Sequence, residues 1–149
     1  MKALVAFYSR TGNTKSVGEE IARCLNADVD EIVDKKNRAG IIGFLGGAID
    51  ALFDKSTEVE YMSNPQEYDL VIIGSPVWAG RVTPAVKAYL SRNRFNKTGF
   101  FCTYSSKAGK SFERMEELSR KPVGTLGVRD KHIEKSNEKI REFCELLMV

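Results

Sequence analysis

Residues 3–14, Ala3-Leu4-Val5-Ala6-Phe7-Tyr8-Ser9-Arg10-Thr11-Gly12-Asn13-Thr14, decide how the rest of the chain is read. An almost wholly apolar run breaks abruptly into a hydroxyl-rich turn. Residues 13–26 then carry Val17, Ile21, Cys24 and Leu25 at the three- and four-residue spacing of a half-buried helix. A short continuous apolar run suits a strand covered on both faces, as in a parallel sheet. The stretch therefore predicts strand, turn and helix in immediate succession.

The same alternation repeats downstream. Leu70-Val71-Ile72-Ile73-Gly74 and residues 98–104, with Phe100 and Phe101, are two further apolar runs, and 28–33 and 122–128 are weaker ones. Helical patterns lie between and after them. Residues 84–91 follow Thr83-Pro84, a cap residue and a first-turn proline. Residues 111–120 group Phe112, Met115 and Leu118, and residues 133–148 group Ile133, Ile140, Phe143, Cys144 and Leu147. Strands alternating with helices predict one α/β domain over residues 1–149, a three-layer α/β/α sandwich. Right-handed crossovers leave few arrangements, and a five-stranded parallel sheet of order 2-1-3-4-5 fits the length.

Residues 35–55 read differently. Gly40, Gly43, Gly46 and Gly47 alternate with Ile41, Ile42, Phe44, Leu45, Ile49, Leu52 and Phe53. The second half, 47–54, fits a helix with a flexible lead-in that packs on the sheet. An exposed apolar patch for dimerisation or for covering a ligand is the other reading.

Composition bounds the function. The chain has 149 residues, 42% of them hydrophobic and 29% charged, which suits a real core rather than disorder. The net charge is +3 with scattered basic residues, and no basic stripe interleaved with aromatics supports nucleic-acid binding. Met1-Lys2 leads into an apolar run too short for a secretory signal, and no stretch reaches the ~20 apolar residues of a membrane span. Cys24, Cys102 and Cys144 lack metal-ligand spacing, and an odd count points to buried thiols and a reducing, cytoplasmic setting.

At the carboxyl end of a first parallel strand, a hydroxyl-rich helix start offers an anion unpaired amides and the positive end of a helix dipole. Ser9, Thr11 and Thr14 add hydroxyls, Asn13 adds an amide, and Gly12 permits close backbone approach. An ordinary helix cap would use the same residues. Neither the Walker loop nor the dinucleotide fingerprint is present.

The stretch S-R-T-G-N-T at 9–14 resembles the flavodoxin phosphate signature [ST]-x-T-G-x-T, and element order and length extend the resemblance over nearly the whole chain. The resemblance implies a bound FMN. Its 5′-phosphate would lie on Ser9, Thr11, Asn13 and Thr14, with backbone from Arg10 and Gly12. The loop S-P-V-W-A-G-R-x-T-P at 75–84 looks like that of small flavodoxin-type proteins. It would set Pro76, Val77, Trp78, Ala79 and Gly80 against the flavin ring, with Ala79 and Gly80 able to turn a carbonyl toward it. Trp78 is the single tryptophan, and its flat ring suits stacking, although packing on its own neighbours is the plainer role. Residues 103–109, with Thr103, Tyr104, Ser105 and Gly109, would hydrogen-bond the flavin edge, with Tyr104 either stacked on the ring or beneath it; Ser105 and Ser106 also suit an ordinary turn.

Two departures from that family matter. Many flavodoxins are acidic, whereas this chain has a pI of about 8.7 and carries Arg10, Arg81 and Lys107 in these loops with no Asp or Glu. Nearby cations favour the anionic reduced flavin, so its potential should be less negative than in acidic relatives. Redox partner proteins should present an acidic docking surface. The expected function is electron transfer, by a monomer or homodimer without a residue-borne catalytic group. The alternative is an NAD(P)H-dependent quinone or flavin reductase. Site chemistry argues against a receiver-type signalling module. Such a module needs acids after the first strand and a phospho-acceptor Asp after the third, where Ser9-Arg10 and Ser75-Pro76 stand. His132, among Arg129, Asp130 and Lys131, reads as a surface residue.

Overall fold

Successive residues of the first strand go to opposite sides of one sheet. Leu4 and Ala6 join one core cluster with Val71, Ile73 and Phe100, while Val5 and Phe7 join another with Ile72 and Phe101. All of these side chains are inaccessible to solvent. That period-two alternation between two apolar layers is the physical basis of an α/β/α sandwich. The computed structural model describes residues 1–36, 40–52 and 57–149. Its elements are β1 (Ala3–Phe7), α1 (Asn13–Leu25), β2 (Asp28–Glu31), β3 (Val33–Asp34), α2 (Gly40–Leu52), β4 (Val59–Glu60), β5 (Leu70–Trp78), β6 (Arg81–Val82), α3 (Pro84–Arg92), β7 (Thr98–Tyr104), α4 (Ser111–Leu118), β8 (Thr125–Arg129) and α5 (Asn137–Leu147). Short 3-10 turns cover Pro65–Glu67 and Asp130–Lys135.

The main sheet runs β2-β1-β5-β7-β8 with every neighbouring pair parallel. Counting its five principal strands along the chain gives the expected order 2-1-3-4-5. Val17 and Ile21 of α1 and Ile140 and Phe143 of α5 cover one face. Val86 and Tyr89 of α3 and Met115 of α4 cover the other. Two small pairings were not foreseen: β6 folds back antiparallel on the end of β5, and β3 and β4 form a separate antiparallel ribbon.

Several boundaries differ from the sequence expectation. The third strand does not stop at Gly74 but continues to Trp78, because β6 gives its outer end a partner. The second strand ends at Glu31, and Val33 belongs to the ribbon. The fifth begins at Thr125 rather than Pro122. Ile133 lies in a 3-10 turn, and α5 starts after it. In the glycine-rich segment the helix begins at Gly40, not Gly47, as burial of Gly47 and Ala51 overrides weak local propensity. Leu45 and Ile49 of that helix are exposed, while Phe53 and Asp54 lie outside the described residues.

Cys102 and Cys144 are buried, and burial pushes the Cys144 thiol up to about 12 and that of Cys102 higher still. Cys24, however, is exposed in the last turn of α1, against expectation. No helix among the described residues is long and apolar enough to cross a membrane.

Candidate functional site

Where the strand order reverses, between β1 and β5, α1 leaves toward one face of the sheet and the helices after β5 toward the other. The carboxyl ends of the strands open a crevice at this point. A cleft of about 310 Å³ lies there, lined by Arg10, Thr11, Asn13, Thr14, Pro76, Val77, Trp78, Thr103, Ser105 and Asp130. Its volume falls in the usual small-ligand range.

One end is built by the turn after β1. Gly12, at φ 103°, is the residue before α1 and has no side chain to cap that helix itself. The Ser9 hydroxyl accepts the N–H of Gly12 at 3.2 Å and of Lys15 at 3.1 Å, so it folds the loop around itself. Ser9 and Gly12 shape the turn without lining the cleft. Thr14 is buried, and its hydroxyl shares a 2.7 Å hydrogen bond with that of Thr103. This bond ties the start of α1 to the end of β7. First-turn amides of a helix have no intrahelical acceptor, which leaves this end rich in N–H and O–H groups.

The other end is apolar. Pro76, Val77 and Trp78 form it from the outer part of β5. Trp78 is not a loop residue but the last residue of that strand, only 5% exposed. Its ring meets Tyr8 edge-on at 5.6 Å between centroids. On another side it touches α2, where a Cβ added to Gly47 would come within 2.5 Å of it. The tryptophan is thus both a wall of the cleft and part of the core.

Ala79 and Gly80 both have positive φ and join Trp78 to Arg81 as a two-residue hairpin turn. Buried Ser75 and Thr83 tie the base of this hairpin through their hydroxyls, 3.1 Å apart. The Gly80 carbonyl accepts the Lys110 N–H at 3.0 Å. Gly109 lies so close that a Cβ there would meet that carbonyl oxygen at 2.3 Å. The structure brings Ala79, Gly80 and Gly109 together beside the cleft rather than into its lining. Tyr104 does not line it either. That ring sits over Gly127 and lines a second cleft next to Arg129.

Asp130 was missed as a site residue. It follows β8, so it reaches the same carboxyl edge of the sheet from a fifth loop; asking which residue succeeds each strand would have found it. Burial raises its carboxyl above the ordinary range, and a hydrogen bond with Asn13 pulls it partly back. Arg10 and Asp130 are the charged residues of the lining. No group of three or more His, Cys, Asp or Glu among the described residues is arranged to hold a metal ion.

No protein-family model matches the chain, and no curated protein sequence matches it. Solved structures do match in fold. A flavoprotein from Lactobacillus acidophilus, solved in complex with FMN, is 24% identical; the match covers 90% of this chain and 97% of that one, with a TM-score of 0.72. An archaeal flavodoxin is 19% identical over the whole of both chains, with a TM-score of 0.53. The two-electron reduced flavodoxin of Megasphaera elsdenii is 15% identical, covers 97% of each chain and has a TM-score of 0.55. The architecture of this chain is flavodoxin-like.

Proposed function

We propose that the cleft binds FMN and that the chain passes electrons between partner proteins. One observation carries the reading. A single cavity joins a turn of amides and hydroxyls at a helix N-terminus to an apolar wall of Pro76, Val77 and Trp78. A phosphate at one end and a flat aromatic ring at the other match that division. The FMN bound by the Lactobacillus flavoprotein of the same fold supports the choice.

Ser9, Arg10, Thr11, Gly12, Asn13 and Thr14 would hold the phosphate, Ser9 and Gly12 by shaping the loop. Residues 76–80 and Thr103, Ser105 and Gly109 would bound or support the ring side, whereas Tyr104 turns to the second cleft. Bound FMN supplies the one- and two-electron chemistry, and the chain contributes orientation and electrostatics. Arg10 places positive charge by the phosphate turn. The raised pKa of Asp130 eases protonation of the carboxyl that faces the same turn. The Gly80–Lys110 bond holds the hairpin against the loop before α4. Partners with acidic surfaces fit the net charge of +3, and a cytoplasmic location fits the buried thiols.

The test is an absorbance spectrum after adding FMN and removing the excess, followed by dithionite titration. Retained flavin bands and a persistent one-electron form support a carrier. Direct two-electron reduction, together with NAD(P)H oxidation by the purified chain alone, replaces the carrier by a quinone or flavin reductase. No retained flavin at micromolar FMN refutes the cofactor.

A further inference from the structure

We propose that a second cleft, between the carboxyl end of β8 and the start of α5, is a binding site for a phosphate group carried by a small soluble ligand. The inference does not depend on the flavin reading. The cleft has a volume of about 350 Å³, and Arg129, His132, Lys135 and Lys139 converge on it. They come from three successive elements: the end of β8, the 3-10 turn, and the first turn of α5. No carboxylate lines it among the described residues.

Two details separate this cleft from an ordinary basic surface. The Arg129 Nε is buried and has no hydrogen-bond partner among the described residues. Its Nη2 donates to the Ser105 carbonyl at 3.5 Å, which steadies the guanidinium. A buried N–H donor without an acceptor is costly, so the guanidinium is held at this place at the expense of stability. The second detail is electrostatic. Ser136 precedes α5 but turns its hydroxyl back to the Ile133 carbonyl, so no side chain caps that helix. Cations are unfavourable at the positive end of a helix dipole, yet Lys135 and Lys139 are placed there with Arg129 and His132 alongside. Glu138 offsets part of this from the first turn of α5. The arrangement opposes stability locally and suits a dianion, which would accept from Arg129 and both lysines at once. The concave form favours a compact group over an extended acidic surface.

His132 gives the site a pH dependence. Desolvation, and then Lys131, Arg129, Lys135 and Lys139, lower its pKa. A bound dianion reverses the effect of those cations, so binding takes up a proton and tightens as pH falls.

The experiment titrates the full chain, preloaded with FMN, by calorimetry. The probes are inorganic phosphate, pyrophosphate and sulfate, with the flavin bands followed in parallel. The expected result is one saturable site per chain, weakened about tenfold or more in the K135Q/K139Q double variant, with flavin retention unchanged. Sulfate keeps its charge between about pH 5.5 and about pH 8, so its tighter binding at the acid end, lost in H132Q, isolates the imidazole. Absence of saturable binding at millimolar phosphate, or equal binding in the double variant, overturns the proposal. So does phosphate-resistant sedimentation with phosphatidylserine vesicles, which would assign the cations to a lipid surface. If the wild type retains no flavin, the flavin reading fails alone, because the lysine pair still reports on this cleft.

Discussion

The two clefts at the carboxyl edge of the sheet both sit at a helix N-terminus, yet they are built from different chemistry. The one at α1 is lined mainly by uncharged donors and an apolar wall, with Arg10 and Asp130 as its charged members. The one at α5 is lined by Arg129, His132, Lys135 and Lys139. Neutral donors hold a ligand by geometry where their loop is fixed by its own hydrogen bonds, as the Ser9 hydroxyl fixes the turn before α1. Cations on long side chains hold it by field, with little geometric selectivity. A helix N-terminus therefore offers an anion site without saying how strict that site will be; the flanking residues decide.

The largest expected effect breaks the first cleft at its support. Gly109→Ala adds a methyl 2.3 Å from the Gly80 carbonyl, at φ +59°. It should cost about 3 kcal/mol in a denaturant melt and abolish flavin retention, while leaving the basic residues of the second cleft in place.

Next comes Thr14→Val, which leaves the buried Thr103 hydroxyl without its 2.7 Å partner. A stability loss of about 1–3 kcal/mol and about tenfold weaker FMN retention should follow. Salt sharpens the contrast. Raising NaCl from about 0.05 M to about 0.5 M should weaken phosphate binding in the second cleft severalfold and change FMN binding less, because screening acts on charges more than on fixed neutral donors.

The smallest effect concerns Asp130. A folded pKa above the unfolded one means that ionisation is costlier in the folded state. That cost is absent below the unfolded pKa and complete above the folded one. The ionised carboxylate facing the turn also repels a phosphate dianion, so Asp130→Asn should tighten FMN binding by about two- to fivefold at pH near 8, with the gain vanishing as pH falls through the carboxylate range. Isothermal titration at both pH values checks it.

The hydroxyl turn after the first strand and the strand order were legible because they rest on local rules. Five apolar runs separated by amphipathic stretches admit few right-handed windings, and a turn after the first strand has to lie at the carboxyl edge. The second cleft was not legible, since His132 and its neighbours read along the chain as a solvated surface. Its lining joins Tyr104 on β7 to Lys139 on α5, residues far apart in sequence. The extension of β5 to Trp78 was hidden for a similar reason, because it depends on pairing with β6 across a turn of two positive-φ residues.

By itself, then, the amino-acid order determined the winding, the two-sided core and the place of the hydroxyl turn, all of which follow from period and composition within a few residues. Only the tertiary structure decided that Trp78 lies beneath α2, that Asp130 enters the first cleft and that four basic groups meet in a second. Those are meetings between loops and helices brought together by sheet packing, and no local preference of the chain encodes which side chains will face one another across such a gap.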